Sequence, residues 1–400
     1  MQKPNSWGGK HAAKAILLGL LMVPAAVALL PREAKNTEPR HLSATPAFPH
    51  SFPDALKYPG QLDAWANDNF GMRTTLLSMH NRMRFAVFGQ FPTIQVISGK
   101  NGRIFLSAHQ TTDPPYSAIF SSFGYRIDPA PMIIDQINQF SVRARARGLD
   151  AKLLIVPSSS VVHADQLPDW LRAHVDPASI PTLKVLGAPR LEAAARDNLY
   201  FPYKEMRAAA AGMEVFPKAW FHWMGDGPRT VAGLTMERFW GVDKDQGVPL
   251  VTKIEKMPSD LSHLFPGIAL SSQVRAIDFQ ASGVEVCMER TCVGEALRPM
   301  LEKLWQMSTY RNPKAPRGRL LIVSDSFGQP VAGWYSRYYK EVVHVCTNFM
   351  DQLSEQELRP IRTYLSGKAK EGDVLFLYHD VTVHAGRIGA DAALLLPSSP

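Results

Sequence analysis

Arg319-Leu-Leu-Ile-Val-Ser-Asp-Ser-Phe-Gly328 is the stretch on which the fold reading turns, because its apolar run stops abruptly in small polar residues. Leu320 to Val323 are four consecutive apolar residues, the pattern of a strand buried on both faces, and Gly328 with Pro330 opens a helix rich in aromatics. Ser326 therefore falls at a strand-to-helix turn. A hydroxyl at such a turn sits on a stiff scaffold, with backbone N–H groups aimed at whatever it attacks. Two readings of Ser326 stand: a nucleophile for acyl chemistry, or a cap for the helix that follows. Asp325 reads as a turn or capping residue, since neighbouring positions in a tight turn face different ways.

The same strand-helix grammar extends to both sides. Downstream, a helix from about Pro330 to Tyr339, a strand Val342 to Val345, a helix Glu355 to Leu365 and a strand Asp373 to Tyr378 form successive βαβ units. Upstream, the amphipathic segment Ile133 to Arg147 ends at Gly148 and leads into Lys152-Leu-Leu-Ile-Val-Pro157, a buried strand cut off by proline. The expected class is α/β, a mostly parallel sheet flanked by helices. Residues 226–316 interrupt the rhythm and predict a small antiparallel insertion. Leu56 to Phe88 carries apolar residues at helical spacing, Gly99-Lys-Asn-Gly102 reads as a turn between short strands Ile94 to Ile97 and Arg103 to Leu106, and Thr112 to Pro131 reads as a loop.

The N-terminus points to export. Ala15 to Leu30 is an uncharged, mostly apolar run behind Lys3, Lys10 and Lys14, with no acidic residue, and Ala26-Val-Ala28 fits a small-x-small cleavage pattern. The run falls just short of the ~20 residues of a comfortable membrane span, so a cleaved signal and a retained anchor both remain open. Pro31 to Pro53 reads as a linker. The formal net charge of +8 owes much to those three lysines, and no other element concentrates basic residues, which argues against nucleic acid as a partner. Cys287 and Cys292 sit in an alternating stretch that reads as a hairpin and suits a cross-hairpin disulfide, while Cys346 reads as a buried small hydrophobe. Neither this cysteine pair nor His379 and His384 around Asp380 brings enough ligands together for zinc, and neither metal nor cofactor is expected.

A serine nucleophile needs a base, and the histidine that stands out is His222, in Val215-Phe-Pro-Lys-Ala-Trp-Phe-His-Trp-Met-Gly-Asp-Gly227. Here the chain resembles the SGNH-hydrolase-like alginate O-acetylation family of the AlgJ and AlgX type, in which an Asp-x-His-Trp segment precedes a Gly-Asp-Ser-Phe-like nucleophile segment. Three further stretches resemble it in order. Tyr58 to Arg73 is similar to its opening helix and Asp-x-Phe-Gly-x-Arg signature, Val96 to Phe105 to its Gly-Lys-Asp-Gly-Trp-Leu-Phe turn, and Leu153 to Pro157 to its first central strand. The resemblance implies an SGNH-like fold and transfer of acetyl groups to hydroxyls of an exported, alginate-like polysaccharide in the periplasm. Ser326 would be acylated, and His222 would serve as base. It also implies an inner-membrane acetyl-transfer partner and a membrane connection through the N-terminal segment. Trp220, Trp223 and Tyr335, with Tyr338 and Tyr339, would offer aromatic faces to sugar, the alternative being that they are core. The implied division is a signal or anchor at 1–30, a linker at 31–52, an SGNH-like acetyltransferase domain at 53–385 and a C-terminal tail at 386–400.

Two positions depart from the family pattern. Trp220 stands where the family places an aspartate two residues before the histidine, and Ser324 stands where it places a glycine. Without an orienting carboxylate the histidine tautomer is not fixed. Asp226, Asp243 and Asp380 are candidates to replace it in space, and a backbone carbonyl is another. Two function classes therefore stand: an acetyltransferase, or an esterase running the same chemistry with water, and a catalytically silent protein that binds polysaccharide or scaffolds its biosynthetic machine.

Overall fold

A computed structural model describes residues 11–12, 14–19, 22–23, 43–69, 72–125, 127–288 and 306–397. The chain divides into two compact units, residues 1–92 with 262–269, and residues 93–261 with 270–400. No described helix is long and apolar enough to cross a membrane, and much of the segment 1–30 lies outside the described residues.

The first unit contains helices α1 (Phe52–Asn69) and α2 (Arg73–Phe88). Gly89 ends α2 in the left-handed region at φ 64°, donating its N–H to Phe85 O at 2.8 Å. One face of α2 is tied down. Asn81 Nδ2 donates to Pro266 O at 2.9 Å, and Phe85, Phe91 and Phe265 pack ring against ring with centroids 4.9 and 5.0 Å apart.

The second unit carries the strands β1 (Val96–Ser98), β2 (Ile104–Leu106), β3 (Ala151–Val156), β4 (Leu199–Tyr200), β5 (Thr252–Pro258), β6 (Ser271–Ile277), β7 (Glu285–Met288), β8 (Met307–Arg311), β9 (Arg317–Ser324), β10 (Tyr339–Cys346) and β11 (Gly372–His379). Seven of them form one sheet in the order β4-β3-β11-β9-β10-β8-β7. The first five run parallel, and β8 and β7 add an antiparallel edge. β1 pairs with β2, and β5 with β6, as separate antiparallel ribbons.

The apolar runs are explained by burial on both faces. Leu321 and Val323 of β9 and Phe376 of β11 point to one core, closed by Ile133, Ile137 and Phe140 of helix α3 (Ala130–Ala146). Leu320, Ile322 and Leu375 point to the other, closed by Val231 and Met236 of helix α4 (Asp226–Trp240). Strands covered on both sides cannot alternate polar with apolar residues. Helix α5 (Glu355–Ala369) begins in a capping box, with Ser354 and Glu357 each satisfying the other's backbone N–H.

Three expectations change. The predicted helix from Pro330 to Tyr339 is a short helix, Gln329–Ala332, followed by a 3-10 turn, Gly333–Arg337. Val331 to Ser336 are buried without a break, so the segment is covered all round and shows no single inward face of a regular amphipathic helix. The predicted loop around residue 117 contains the helix Ser117–Ser122. Residues 386–400, read as a tail, contribute helix α6 (Arg387–Leu395), whose Ile388, Ala392 and Leu395 are buried at helical spacing. Cys287 is disulfide-bonded and Cys346 is free and buried, whereas Cys292 lies outside the described residues.

The segment carrying His222 is anchored before α4 begins. The buried Arg103 guanidinium donates to Phe216 O at 2.9 Å, Glu214 Oε2 at 2.8 Å and Gln166 Oε1 at 2.8 Å, and Ile104 N donates to Lys218 O at 2.8 Å. Gly227 lets α4 lie against that segment, because a Cβ there would fall 2.0 Å from Val215 O. Gly227→Ala should therefore lower the thermal midpoint by about 5 °C or more, read by differential scanning fluorimetry. An unchanged midpoint would show that the contact is not close.

Candidate functional site

The parallel strands end together, and side chains just beyond their C-terminal ends form the site. Ser326 follows β9 by two residues, Ser158 follows β3, and Asp380 follows β11. The turn after β9 is held from below by Asp325, which is fully buried. Its Oδ1 accepts Phe327 N at 2.9 Å, and its Oδ2 accepts His379 N at 2.8 Å and Thr382 Oγ1 at 2.6 Å. Burial raises the Asp325 carboxyl above its ordinary range, against the pull of those three donors. Asp325 is thus a tether between the ends of β9 and β11, and Ser326 is left half-buried at the tip of the turn.

His222 meets Ser326 across the end of the sheet. Its Nε2 lies 3.0 Å from Ser326 Oγ, and its Nδ1 lies 2.8 Å from Asp260 Oδ2. The same carboxylate accepts Phe221 N on Oδ1 and His222 N on Oδ2, each at 2.9 Å. A carboxylate only accepts, so Nδ1 carries the proton toward Asp260, and Nε2 presents its lone pair to the serine hydroxyl. The serine, imidazole and carboxylate stand in line, with the geometry for transferring the hydroxyl proton to the ring.

Asp260 was not among the sequence candidates. It lies in the turn after β5, where Ser259 N donates to Leu270 O at 2.9 Å and Leu261 N donates to Ser259 Oγ at 3.1 Å. The three candidates go elsewhere. Asp226 pairs with Arg275 Nε at 2.9 Å, Asp243 accepts Asp245 N at 2.8 Å, and Asp380 accepts Ser158 N at 3.0 Å. A Ser-Asp pair closing a ribbon was the one available signal, but an ordinary turn has the same composition.

The aromatic expectations separate. Trp223 is fully buried, its Nε1 donating to Phe327 O at 2.8 Å and its ring stacked on Phe327, so it clamps the histidine segment to the nucleophile turn and has no face for a ligand. Tyr335 is fully buried as well, as are Tyr338, which donates to Lys244 O at 2.5 Å, and Tyr339, which donates to Asp373 Oδ2 at 2.7 Å. A sugar-stacking role is corrected for all four: each fills core. Trp220 is half-buried and, with Phe221 and His379, lines a cavity of about 20 Å³. Phe221 packs edge-on against His222, with centroids 4.8 Å apart.

No family model matches the chain, and no curated protein does. Solved structures do. A Bacillus cereus PatB1 structure with a sulfonyl adduct is similar at 12% identity and a TM-score of 0.47, covering 72% of this chain and 95% of that one. A DHHW family protein from Eubacterium siraeum is similar at 13% identity and a TM-score of 0.42, covering 67% and 88%. The O-acetyltransferase domain of Pseudomonas putida AlgJ is similar at 16% identity and a TM-score of 0.40, covering 72% and 92%.

Two outcomes follow from this geometry. Asp260→Asn should slow labelling of Ser326 by a fluorophosphonate about 10²–10⁴-fold, with Asp243→Asn unchanged, in time courses read by mass spectrometry. Equal rates in both variants would remove Asp260 from the site. Asp380 is fully buried beside a His379 ring that burial holds neutral, and burial pushes its carboxyl up to about 7. Because the unfolded chain holds that proton only to about 3.9, the contribution of Asp380 to stability is present below that pH and is lost as pH rises through 7. The thermal midpoint of Asp380→Asn should therefore gain on wild type between pH 4 and pH 8, and a constant difference would contradict it.

Proposed function

We propose that this chain transfers acetyl groups onto hydroxyls of an exported, alginate-like polysaccharide through an acetyl-Ser326 intermediate. The observation that carries the reading is the aligned Ser326, His222 and Asp260, with 3.0 and 2.8 Å between successive partners. The order of motifs from Tyr58 to Ser326 supports the acetyl and polysaccharide parts of it.

In the first half-reaction, Ser326 Oγ attacks the acetyl carbonyl carbon while His222 Nε2 takes the hydroxyl proton. The resulting imidazolium is stabilised by Asp260, and the oxyanion is received by the Ser326 backbone N–H, which has no hydrogen-bond partner among the described residues. The tetrahedral species collapses, and His222 returns the proton to the departing donor group. In the second half, a sugar hydroxyl gives its proton to His222 Nε2 and attacks the acetyl-serine, and Ser326 leaves with that proton. Trp220 and Phe221, partly exposed beside His222, are the aromatic faces left for a sugar ring.

The silent-scaffold alternative rested on the absence of a carboxylate at position 220, and Asp260 supplies one from another part of the chain. The lysine-led apolar run supports a reaction outside the cytoplasm, in the periplasm, with the N-terminal segment as leader or inner-membrane anchor and a membrane protein as acetyl source.

Incubation with para-nitrophenyl acetate and a mannuronate oligosaccharide tests the reading. Wild type should release nitrophenolate and add acetyl to the oligosaccharide, while Ser326→Ala and His222→Ala fall by about 10³-fold or more. Equal, negligible turnover in all three proteins would contradict it, and release without sugar acetylation would make the enzyme an esterase.

A further inference from the structure

Beneath the nucleophile turn lies a second serine-histidine pair that the reaction above does not use. Ser324 and His344 are both wholly buried, with Ser324 Oγ 2.8 Å from His344 Nε2. Ser324 Oγ also lies 2.7 Å from the backbone oxygen of Asp325, and His344 Nδ1 faces Ser308 Oγ at 3.5 Å. Gly328 makes room for the pair, since a Cβ there would fall 2.0 Å from Ser324 Oγ and 2.8 Å from His344 Nε2. Two polar side chains placed where an apolar pair would pack without any desolvation penalty call for a physical reason.

The proton positions follow from the distances. Two oxygens 2.7 Å apart need a proton between them, so the Ser324 hydroxyl donates to Asp325 O. Ser324 Oγ must then accept, and the donor is His344 Nε2–H. Burial keeps that ring neutral by lowering its pKa to about 3, which leaves Nδ1 as the acceptor facing Ser308. Asp325 O takes its second hydrogen bond from Gly328 N at 3.2 Å, so both of its lone pairs are occupied.

That carbonyl belongs to the same planar peptide as the Ser326 N–H. Fixing the oxygen fixes the direction of the N–H at the other end of the plane. Donors to the oxygen also polarise the amide and strengthen its N–H as a donor. We propose that Ser324 and His344 are positioning residues for acyl transfer, which through a buried chain of hydrogen bonds hold the Asp325–Ser326 peptide so that its N–H receives the oxyanion. The inference rests on the proposed function in taking Ser326 as the acylated residue. The hydroxyl at position 324, where the resembled family has glycine, is then a device of this chain and not a casual replacement.

The test uses the full chain with Ser324→Ala, Ser324→Gly and His344→Gln, all checked for an unaltered thermal midpoint and far-UV spectrum. With para-nitrophenyl acetate, kcat should fall by about 10- to 100-fold in the Ser324 variants, with KM within about two-fold and the midpoint of the pH profile unmoved. The Ser326 amide resonance, followed in protein labelled with ¹⁵N-serine, should shift in all three variants whether or not the protein turns over. A kcat within about two-fold of wild type in both Ser324 variants, or a Ser326 amide that stays in place, overturns the proposal. Failure of wild type itself to react would overturn the acyl-transfer reading instead, and the amide shift keeps the two failures apart.

Discussion

The Asp260 carboxylate is the interaction on which the site depends. It accepts the main-chain N–H groups of Phe221 and His222 and the ring Nδ1–H of His222, so one side chain fixes the peptide, the ring plane and the tautomer together. Removing it would leave two backbone donors and an imidazole proton without a partner in a half-buried site. The lone pair on Nε2 would then face Ser326 only part of the time. Burial of the chain on either side makes this hold effective: Arg103 ties down Phe216, and Trp223 is locked to Phe327, so the segment between them has little freedom to drift.

The nucleophile is held by the same means from the opposite direction. Asp325 accepts Phe327 N within the turn and His379 N and Thr382 Oγ1 from the end of β11, which joins β9 to β11, and Trp223 joins the turn to the histidine segment. Phe327 packs among Trp223, His222 and His379, the last stacked on it with centroids 4.0 Å apart. Placing reactive groups on loops while anchoring those loops to strand ends is the general solution for parallel sheets. Here the anchor of the nucleophile turn is the wholly buried Asp325 carboxylate, satisfied by three donors, and the His379 ring beside it is held neutral by burial.

Much of this was legible before the fold was seen. Runs such as Leu320 to Val323 and Leu153 to Val156 declare strands covered on both faces, and the drop from Val323 into Ser-Asp-Ser marks the turn that presents Ser326. The pairing of Ser326 with His222 followed from motif order alone, across more than a hundred residues. What sequence did not reveal depends on distance in space. Asp260 reaches His222 because the β5-β6 ribbon folds back over the histidine segment, and no local pattern near Ser259 records that return. Trp223 and Tyr335 carry the same aromatic signal whether they face a sugar or a core, and only packing distinguishes the two. Helix α6 was missed because its small residues and leucines dilute the periodic signal that its buried Ile388, Ala392 and Leu395 carry.

The most direct measurement is the site of covalent acetylation. An acid-quenched reaction with an activated acetyl ester, digested with trypsin and sequenced by tandem mass spectrometry, should show a single acetyl group on the peptide spanning Leu320 to Arg337, located at Ser326. Acetyl on any other residue, or no adduct in the interval when nitrophenolate is being released, would contradict the account.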